Sequence, residues 1–259
     1  MKTKKAAIIQ AKGKSTLYGD PEAKFWSRSC DSAAIGFERL GYKVVGYDSM
    51  ASDFPTCLSR DTPVRGSVQS FRRVLAHLGV KAPMNVDIPE ELMGFTGRRV
   101  WKSTVGEVRT RAVTVFVKPL LFQKDFSGHT AYGGNSSVFS TLNLPKSYPL
   151  LCQDPTLFQG GELRVYVVEG KIVGKRFMPT DYMREKPWPL STLENSTLKA
   201  MLAAYKSQPA GFCMDVTRSS SGQLVLIEVN EGFSCGNYGI PHELFAKMIE
   251  ARWEELVSR

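Results

Sequence analysis

The sequence has little that would support a metal-linked or disulfide-linked fold. Its five cysteines are odd in number and widely spaced, no CxxC pair occurs, and the three histidines are scattered. This distribution argues against a zinc site and against a disulfide framework. We expect the cysteines to be small buried residues.

Long apolar segments are also missing. No stretch approaches the roughly 18 consecutive apolar residues that a membrane-spanning helix requires. The apolar residues 6–9, behind the basic N-terminus, are too few for a signal peptide. The sequence therefore predicts a cytoplasmic protein without a membrane partner.

What remains is an ordinary globular composition with an excess of positive charge. Hydrophobic residues make up 42% of the chain and charged residues 23%, and the net charge is +9. Such a charge suits nucleic acid, an acidic membrane surface or a phosphate-rich substrate, and it also occurs in proteins with none of these partners. Charge alone does not choose among them.

The first 88 residues predict a small α/β domain. A short apolar run at 6–9 precedes a helical pattern from about Glu22 that ends at Gly41, and a strand follows that ends at Asp48. A second helical pattern begins at Val68 and ends at Gly79. The proline-containing stretch 82–89 predicts a linker, so we place a domain boundary between residues 88 and 89.

Residues 89–259 predict a mixed α+β domain. A strand over 112–117 ends in Lys118-Pro119 and precedes a Gly-, Ser- and Asn-rich loop over 123–137, which we expect to be a mobile lid. Two hairpins follow, over 163–177 and 211–230, with a helix between them over 193–205. A final helix begins at Pro241.

The last hairpin brings two carboxylates together. If Ser221-Gly222 is a two-residue turn, Asp215 lies directly opposite Glu228, and Asn230 shares their face. Two carboxylates and an amide oxygen are ligands that Mg²⁺ accepts. The alternative is a wider loop with a solvated polar face on which the three side chains never meet.

Lys118 stands at the end of an apolar strand, beside the flexible loop. Such a lysine, together with loop N–H groups, suits the binding of phosphates. The alternative is a surface lysine that extends from a strand end. The segment Gly13-Lys14-Ser15-Thr16 is not a P-loop, because the first glycine of that motif would fall at Ile8.

Two further basic groups allow more than one interpretation. Arg98, Arg99 and Lys102 surround Trp101, which suits an anionic substrate or a stacked nucleic acid, or simply a solvated turn. In the first hairpin, Glu162 and Arg164 share a face. A functional site and a cross-strand ion pair would explain them equally well. Lys175 and Arg176 lie on the neighbouring strand.

The order of these pieces resembles the ATP-grasp superfamily. The resemblance rests on VFVKP at 115–119, ELRV at 162–165, Asp215 and IEVN at 227–230. The segments GRRVWKST at 97–104, KDFSG at 124–128 and NEGFSCGNYG at 230–239 are similar to a small bacterial and phage branch with a hallmark arginine and lysines. It covers roughly residues 60–259.

The resemblance implies a fold and a set of nucleotide contacts. The fold is an ATP-grasp fold of two α+β subdomains, preceded by a Rossmann-like pre-ATP-grasp domain. Lys118 would contact the ATP phosphates with help from Lys102, a polar hinge over 153–157 would receive adenine, and Glu162 would lie near the ribose or the hinge. The implied nucleotide-binding set is Lys118, Lys124, Gln153, Asp154, Leu157 and Glu162, and the implied Mg²⁺ ligands are Asp215, Glu228 and Asn230.

The resemblance also implies a reaction, in which ATP phosphorylates a carboxylate and an amine or another nucleophile displaces phosphate. On this interpretation Arg98 or Arg99 orients the carboxylate, and Arg164 and Lys175 stabilise the acyl-phosphate. The partners are ATP, a small carboxylate and an amine-bearing acceptor. The alternatives are an ATP-binding scaffold without turnover and a protein that binds or modifies nucleic acid.

Overall fold

The front of the chain forms a parallel sheet. The computed structural model describes residues 5–11, 27–48, 54–111, 113–122, 125–178 and 188–258. Strands β1 (Ala6–Ala11), β2 (Lys43–Asp48) and β3 (Val64–Arg65) pair in parallel in the order β2-β1-β3. Helix α1 (Arg28–Arg39) follows β1, and helix α2 (Val68–His77) follows β3.

The ends of these helices follow local sequence. Ser27 caps α1 by accepting a hydrogen bond from the Cys30 N–H, and α1 ends ahead of Gly41, whose φ is +86°. Gly79, with a φ of +66°, stops α2 in the same way. The predicted helix start near Glu22 lies outside the described residues.

A second, antiparallel sheet follows a short 3-10 helix at Glu90–Phe95. Its strands are β4 (Val100–Thr104), β5 (Val115–Pro119), β6 (His129–Ala131) and β7 (Pro149–Gln153), in the order β4-β7-β5-β6. Helices α3 (Val105–Arg111) and α4 (Ser137–Thr141) pack on one face. The predicted 123–137 loop was wrong in part, because residues 129–131 pair with β5.

Strand alternation decides what the second sheet presents on each face. Val115 and Val117 of β5 are buried in the core beneath α3 and α4. Phe116 and Lys118 therefore point to the opposite face, as do their register neighbours Gln153 and Leu151 on β7. This second face is the one that lines a cleft.

The third sheet consists of the two predicted hairpins. Strands β8 (Gln159–Val168), β9 (Lys171–Phe177), β10 (Gly211–Arg218) and β11 (Leu224–Glu231) are antiparallel in the order β11-β10-β8-β9. Helix α5 (Thr192–Ala204) begins with a capping box between Ser191 and Glu194 and packs on one face of this sheet. The other face carries the polar side chains described below.

The last hairpin pairs Asp215 with Glu228 as predicted, but not through the predicted turn. Gly222 has a φ of +77° and donates to the Ser219 carbonyl at 2.9 Å, so the loop has three residues instead of two. A bulge between Asp215 and Val216 then gives β11 one additional residue, Ile227. The two deviations cancel, and the carboxylates remain opposed.

Helix α6 (His242–Val257) joins the front of the chain to the third sheet. One core cluster combines Phe37 of α1 with Met248 of α6 and Cys213 of β10. In a second cluster the Phe71 ring stacks on Phe233 at 3.9 Å and meets Trp253 edge to face. The domain boundary after residue 88 stays a prediction. Residues of α6, from beyond that boundary, pack in the same core clusters as residues from the front of the chain.

The described helices include none with the length and hydrophobicity needed to cross a bilayer. The cytoplasmic location stays a prediction.

Candidate active site

A cleft of about 600 Å³ lies between the second and third sheets. The second sheet contributes Phe116, Lys118 and the strand end at Gln153, and the third contributes Glu162 and Glu228. Residues 154–158, which connect the two sheets, close one end. The connection presents Leu157 and Phe158 together with the polar Asp154 and Thr156, and the charged pair Lys118 and Glu228 lines another part of the cleft.

The three residues that were predicted to meet a nucleotide base lie at the end of β7 and in the connection that follows it. Gln153, Asp154 and Leu157 all line the cleft, beside the rings of Phe116 and Phe158. Gln153 is buried, and its Oε1 accepts from Arg98 at 2.8 Å, while its Nε2 has no hydrogen-bond partner among the described residues. A buried donor without a partner costs about 1–3 kcal/mol. The Arg98 guanidinium lies over the Phe158 ring, 5.3 Å from its centroid.

Glu162 is a partly buried carboxyl group in the same cleft. Burial raises the pKa of Glu162 to about 7, and the neighbouring Asp215 and Glu228 carboxylates contribute to the increase. Near neutral pH this side chain is therefore an O–H donor in part of the molecules and an acceptor in the others.

Lys118 binds two carboxylates at the charged end of the cleft. Its Nζ lies 3.1 Å from Asp87 and also contacts Glu228. Burial alone would lower the pKa of Lys118, but the two carboxylates outweigh burial and raise it. For Glu228 the ammonium outweighs burial in the same way and holds the pKa well below its usual range.

Asp87 is a site residue that the sequence did not indicate. It lies in the predicted linker, and its backbone carbonyl accepts from the Val229 N–H at 2.6 Å, which fixes the linker against β11. Burial raises the pKa of Asp87 to about 6, against the effect of Lys118. Its role in the site is visible only in the folded chain, where its carboxylate lies 3.1 Å from the Lys118 Nζ.

Four charged residues form one row across the third sheet. Register pairs Arg176 of β9 with Arg164 of β8, Arg164 with Asp215 of β10, and Asp215 with Glu228 of β11. Residues paired in this way point to the same face. Arg164 confirms the geometry, because its Nε and Nη2 each donate to an Asp215 oxygen at 2.7 Å.

The predicted metal ligands converge at one end of this row. The Asn230 Nδ2 lies 2.9 Å from Asp215 and 2.7 Å from Glu228, so the three side chains are in mutual contact. No group of three or more His, Cys, Asp or Glu suited to a metal occurs in the part of the chain that the structure describes. The two carboxylates suit Mg²⁺, which usually takes one or two protein carboxylates together with phosphates and water, and the Asn230 oxygen could join them only after the amide rotates.

Arg98 does not have the geometry predicted for substrate binding. It lines the cleft, but Nη1 donates to the Thr96 and Leu226 carbonyls at 3.0 and 2.8 Å, and Nη2 donates to the Ile227 carbonyl at 2.8 Å. With Nε on Gln153, the guanidinium joins β7 to β11. We therefore treat Arg98 as a positioning residue that holds the two walls of the cleft together.

Three other residues that were predicted for the site, Arg99, Lys102 and Lys175, lie away from the cleft. Arg99 is exposed and stacks on Trp101 at 4.6 Å. Lys102 is also exposed and pairs with Glu90 at 3.1 Å.

Lys175 lies on the α5 face of the third sheet, where its Nζ donates to Asn195 at 2.8 Å. The register pairs it with the core residue Val165, whereas its neighbour Arg176 joins the charged row. Lys124 lies outside the described residues.

Gly128 allows the loop after β5 to return against the cleft wall. A Cβ at this position would lie 2.8 Å from the Phe116 ring and 3.1 Å from the Lys118 Cγ. A larger residue would displace the loop or both side chains. The loop thus approaches the apolar and the charged parts of the cleft at once.

This fold and cleft are those of an ATP-grasp protein. The model of the ATP-grasp domain, R2K clade family 2, matches residues 95–248, and the chain belongs to that family. Membership supports ATP-dependent ligation as the general activity. Asp87 lies ahead of the matched segment.

Solved structures show the same fold at low sequence identity. A RimK domain ATP-grasp protein from Sphaerobacter thermophilus DSM 20745 is 12% identical with a TM-score of 0.59, over 95% of this chain and 99% of that one. The D-cycloserine synthetase DcsG is 11% identical with a TM-score of 0.56, over 86% and 94%. The ATP-grasp ligase PsnB, complexed with a minimal precursor, is 13% identical with a TM-score of 0.50, over 96% and 100%. Among curated proteins nothing matches.

Proposed function

We propose that this protein is an ATP-dependent ligase that activates a carboxylate as an acyl-phosphate and joins it to an amine. The observation that carries the proposal is the charged row, in which Asp215 and Glu228 meet Asn230 beside Lys118 at the end of the cleft. Phosphoryl transfer needs little covalent help from the protein and depends on positioning and on charge around the phosphates. The row supplies both.

Nucleotide binding follows the polarity of the cleft. The base occupies the end of the cleft that Phe116, Leu157 and Phe158 line. Glu162 contacts the ribose, and the phosphates extend toward Lys118. The lysine then exchanges part of its contact with Glu228 for phosphate oxygens, which frees that carboxylate.

Asp215, Glu228 and Asn230 would hold Mg²⁺, which supplies charge neutralisation at the phosphates when it is bound. Arg164 acts here as a positioning residue, because both of its hydrogen bonds to Asp215 fix the orientation of that carboxylate. In the free protein the Asn230 Nδ2 donates to both carboxylates, and rotation of this amide would turn its oxygen toward the ion.

The chemistry then has two balanced steps. An oxygen of the substrate carboxylate bonds to the γ-phosphorus of ATP as the bond to ADP breaks. The amine then bonds to the acyl carbon, inorganic phosphate leaves with the former carboxylate oxygen, and the amine loses a proton. Lys118 binds negative charge that shifts toward ADP in the first step, which is the electrostatic stabilisation expected of a buried cation. In the same proposal the front parallel sheet is the pre-ATP-grasp domain, and the protein works in the cytoplasm.

The test is a screen for ADP release over amino acids and small carboxylates, each with amine, peptide and nucleic-acid acceptors. We expect ADP to appear only when an acid is present, and Glu228→Gln to reduce the rate by about 100-fold or more, as for loss of one charged ligand. Glu90→Gln, at an exposed position, is the control and should retain activity. ADP release that needs no acid, or full activity of Glu228→Gln, would contradict the proposal.

A further inference from the structure

A second, basic pocket lies beside the charged row, on the far side of the loop 236–239. Its volume is about 460 Å³, its charged lining residues are Arg28, Arg39, Arg176 and Glu243, and His242 also lines it. The one carboxylate, Glu243, already pairs with Arg39 at 3.2 Å. The pocket therefore carries net positive charge.

Arg176 connects this pocket to the active site. It stands in register with Arg164, so two like charges face each other across neighbouring strands. Arg164 is neutralised by Asp215, but Arg176 donates only to the backbone carbonyls of Gly239 and Lys175, at 2.9 and 2.7 Å. Opposed like charges destabilise a sheet. Within the described ranges neither Arg176 nor Arg28 forms an ion pair, and both side chains are exposed and line the pocket.

Hydrogen bonds hold the polar side of the pocket in place. Asn237 Oδ1 accepts from the Gly239 and Ile240 N–H groups, which fixes the amide so that Nδ2 donates to Ser32 at 2.6 Å. The Ser32 hydroxyl and the Nδ1 of His242 share a further hydrogen bond of 2.8 Å. The imidazole is therefore fixed at the pocket wall.

The distance along the row selects the ligand. Adjacent strands are spaced about 4.8 Å apart, so Arg176 lies about 10 Å from Asp215 at the backbone. The phosphates of ATP belong to the other end of the row, at Lys118 and Glu228. With the phosphates there, an anionic group at Arg176 belongs to another substrate, and the Nη2 group, which the contacts to Gly239 and Lys175 do not use, can donate to a carboxylate.

We propose that this basic pocket binds a carboxylate of a substrate other than the carboxylate that ATP activates. The proposal rests on the proposed function and names the substrate class. That carboxylate comes either from a dicarboxylic acid or from an amino acid that serves as the amine acceptor. Arg176 is its principal ligand, with Arg28 and His242 beside it.

The kinetic test compares three charge-neutralising variants on strand β9. Arg176→Gln should raise the KM of the carboxylate-bearing substrate about 10- to 100-fold, as for one charged hydrogen-bonding contact, with kcat and ATP affinity within about twofold. Lys175→Gln, on the opposite face, and Lys171→Gln, at the start of the strand, should leave that KM unchanged. Amidated substrates distinguish the two sources of the carboxylate. A monoamide of the dicarboxylic acid, or the amide of the amino acid, loses activity only if the amidated carboxylate is the one that binds in the pocket.

A binding test is independent of turnover. Saturation-transfer NMR with glutarate, and with its monoamide as control, should show glutarate binding to the wild type and its loss in Arg176→Gln. If no acid supports ADP release but glutarate binding depends on Arg176, the proposed function is wrong and the pocket stands. If glutarate does not bind at millimolar concentration, or if Arg176→Gln has wild-type binding and KM, the pocket assignment is wrong.

Discussion

Glu162→Gln should make the free protein more stable above neutral pH. Glu162 forms no ion pair within the described ranges, and burial raises its pKa from 4.5 to about 7. A carboxyl group whose folded pKa exceeds its unfolded pKa favours the folded state fully below the unfolded value, and this contribution is lost as pH rises through the folded value. The wild type should therefore lose stability between pH 4.5 and pH 7, while glutamine, which does not titrate, should not.

The magnitude follows from the pKa. One pKa unit corresponds to about 1.4 kcal/mol, and the solvent-exposed part of the side chain reduces the total, so the variant should gain about 2–3 kcal/mol at pH 8 relative to pH 4. Urea unfolding at several pH values gives the free energy of unfolding directly, with an unchanged m-value for a two-state transition. Glu90→Gln, the same substitution at an exposed position, is the control.

A pH-independent difference between Glu162→Gln and the wild type would refute the reasoning, since an effect on packing or hydrogen bonding alone does not follow titration. The same variant should bind ATP more weakly if Glu162 contacts the ribose. Stability would then rise while function falls, a relation that is common where a buried charge serves a site.

Three further substitutions test the walls of the cleft. Arg98→Lys should lower the free energy of unfolding by about 2–4 kcal/mol, because a lysine leaves carbonyls without a donor; an unchanged urea midpoint would contradict the positioning role. Lys118→Met should lower the free energy of unfolding by about 3–5 kcal/mol at pH 8, since Asp87 and Glu228 lose their cation, and by less at pH 5, where Asp87 takes up a proton. Calorimetry at both pH values should also show weaker ATP binding. Equal losses of stability at the two pH values would argue against Lys118 as the shared cation of the two carboxylates. Gly128→Ala should weaken ATP binding by about 1–3 kcal/mol through overpacking against Phe116, and unaltered affinity would show that the loop adapts.

Much of the third sheet could be predicted because hairpins impose local rules. The opposition of Asp215 and Glu228 followed from counting along two strands. The count assumed a two-residue turn, and the structure has three residues and a bulge. The pair was therefore correct through two compensating differences, and neither the bulge nor the turn type was readable from the Ser/Gly segment alone.

The predictions for individual side chains were wrong where a shift of one residue along a strand moves the side chain to the other face of the sheet. Lys175 and Arg176 are adjacent in sequence and similar in charge, so only the register with β8 decides which joins the row. Arg98 and Lys102 belong to one basic cluster in sequence, but carbonyl groups from a distant strand occupy Arg98, and Glu90 pairs with Lys102. Asp87 had no local signal, because its role depends on a linker folding back against β11.

Because α6 packs against the front of the chain, the order of synthesis affects how the nascent chain folds. The front parallel sheet is synthesised early, but Phe71 stays without Trp253, and Phe37 without Met248, until α6 has been made. The nascent front segment must therefore display apolar surface while the two later sheets are translated, which is a state that favours aggregation and chaperone binding. A premature stop codon just ahead of His242 would still encode all the strands described above, but it would remove Met248 and Trp253 from the two core clusters of the front segment.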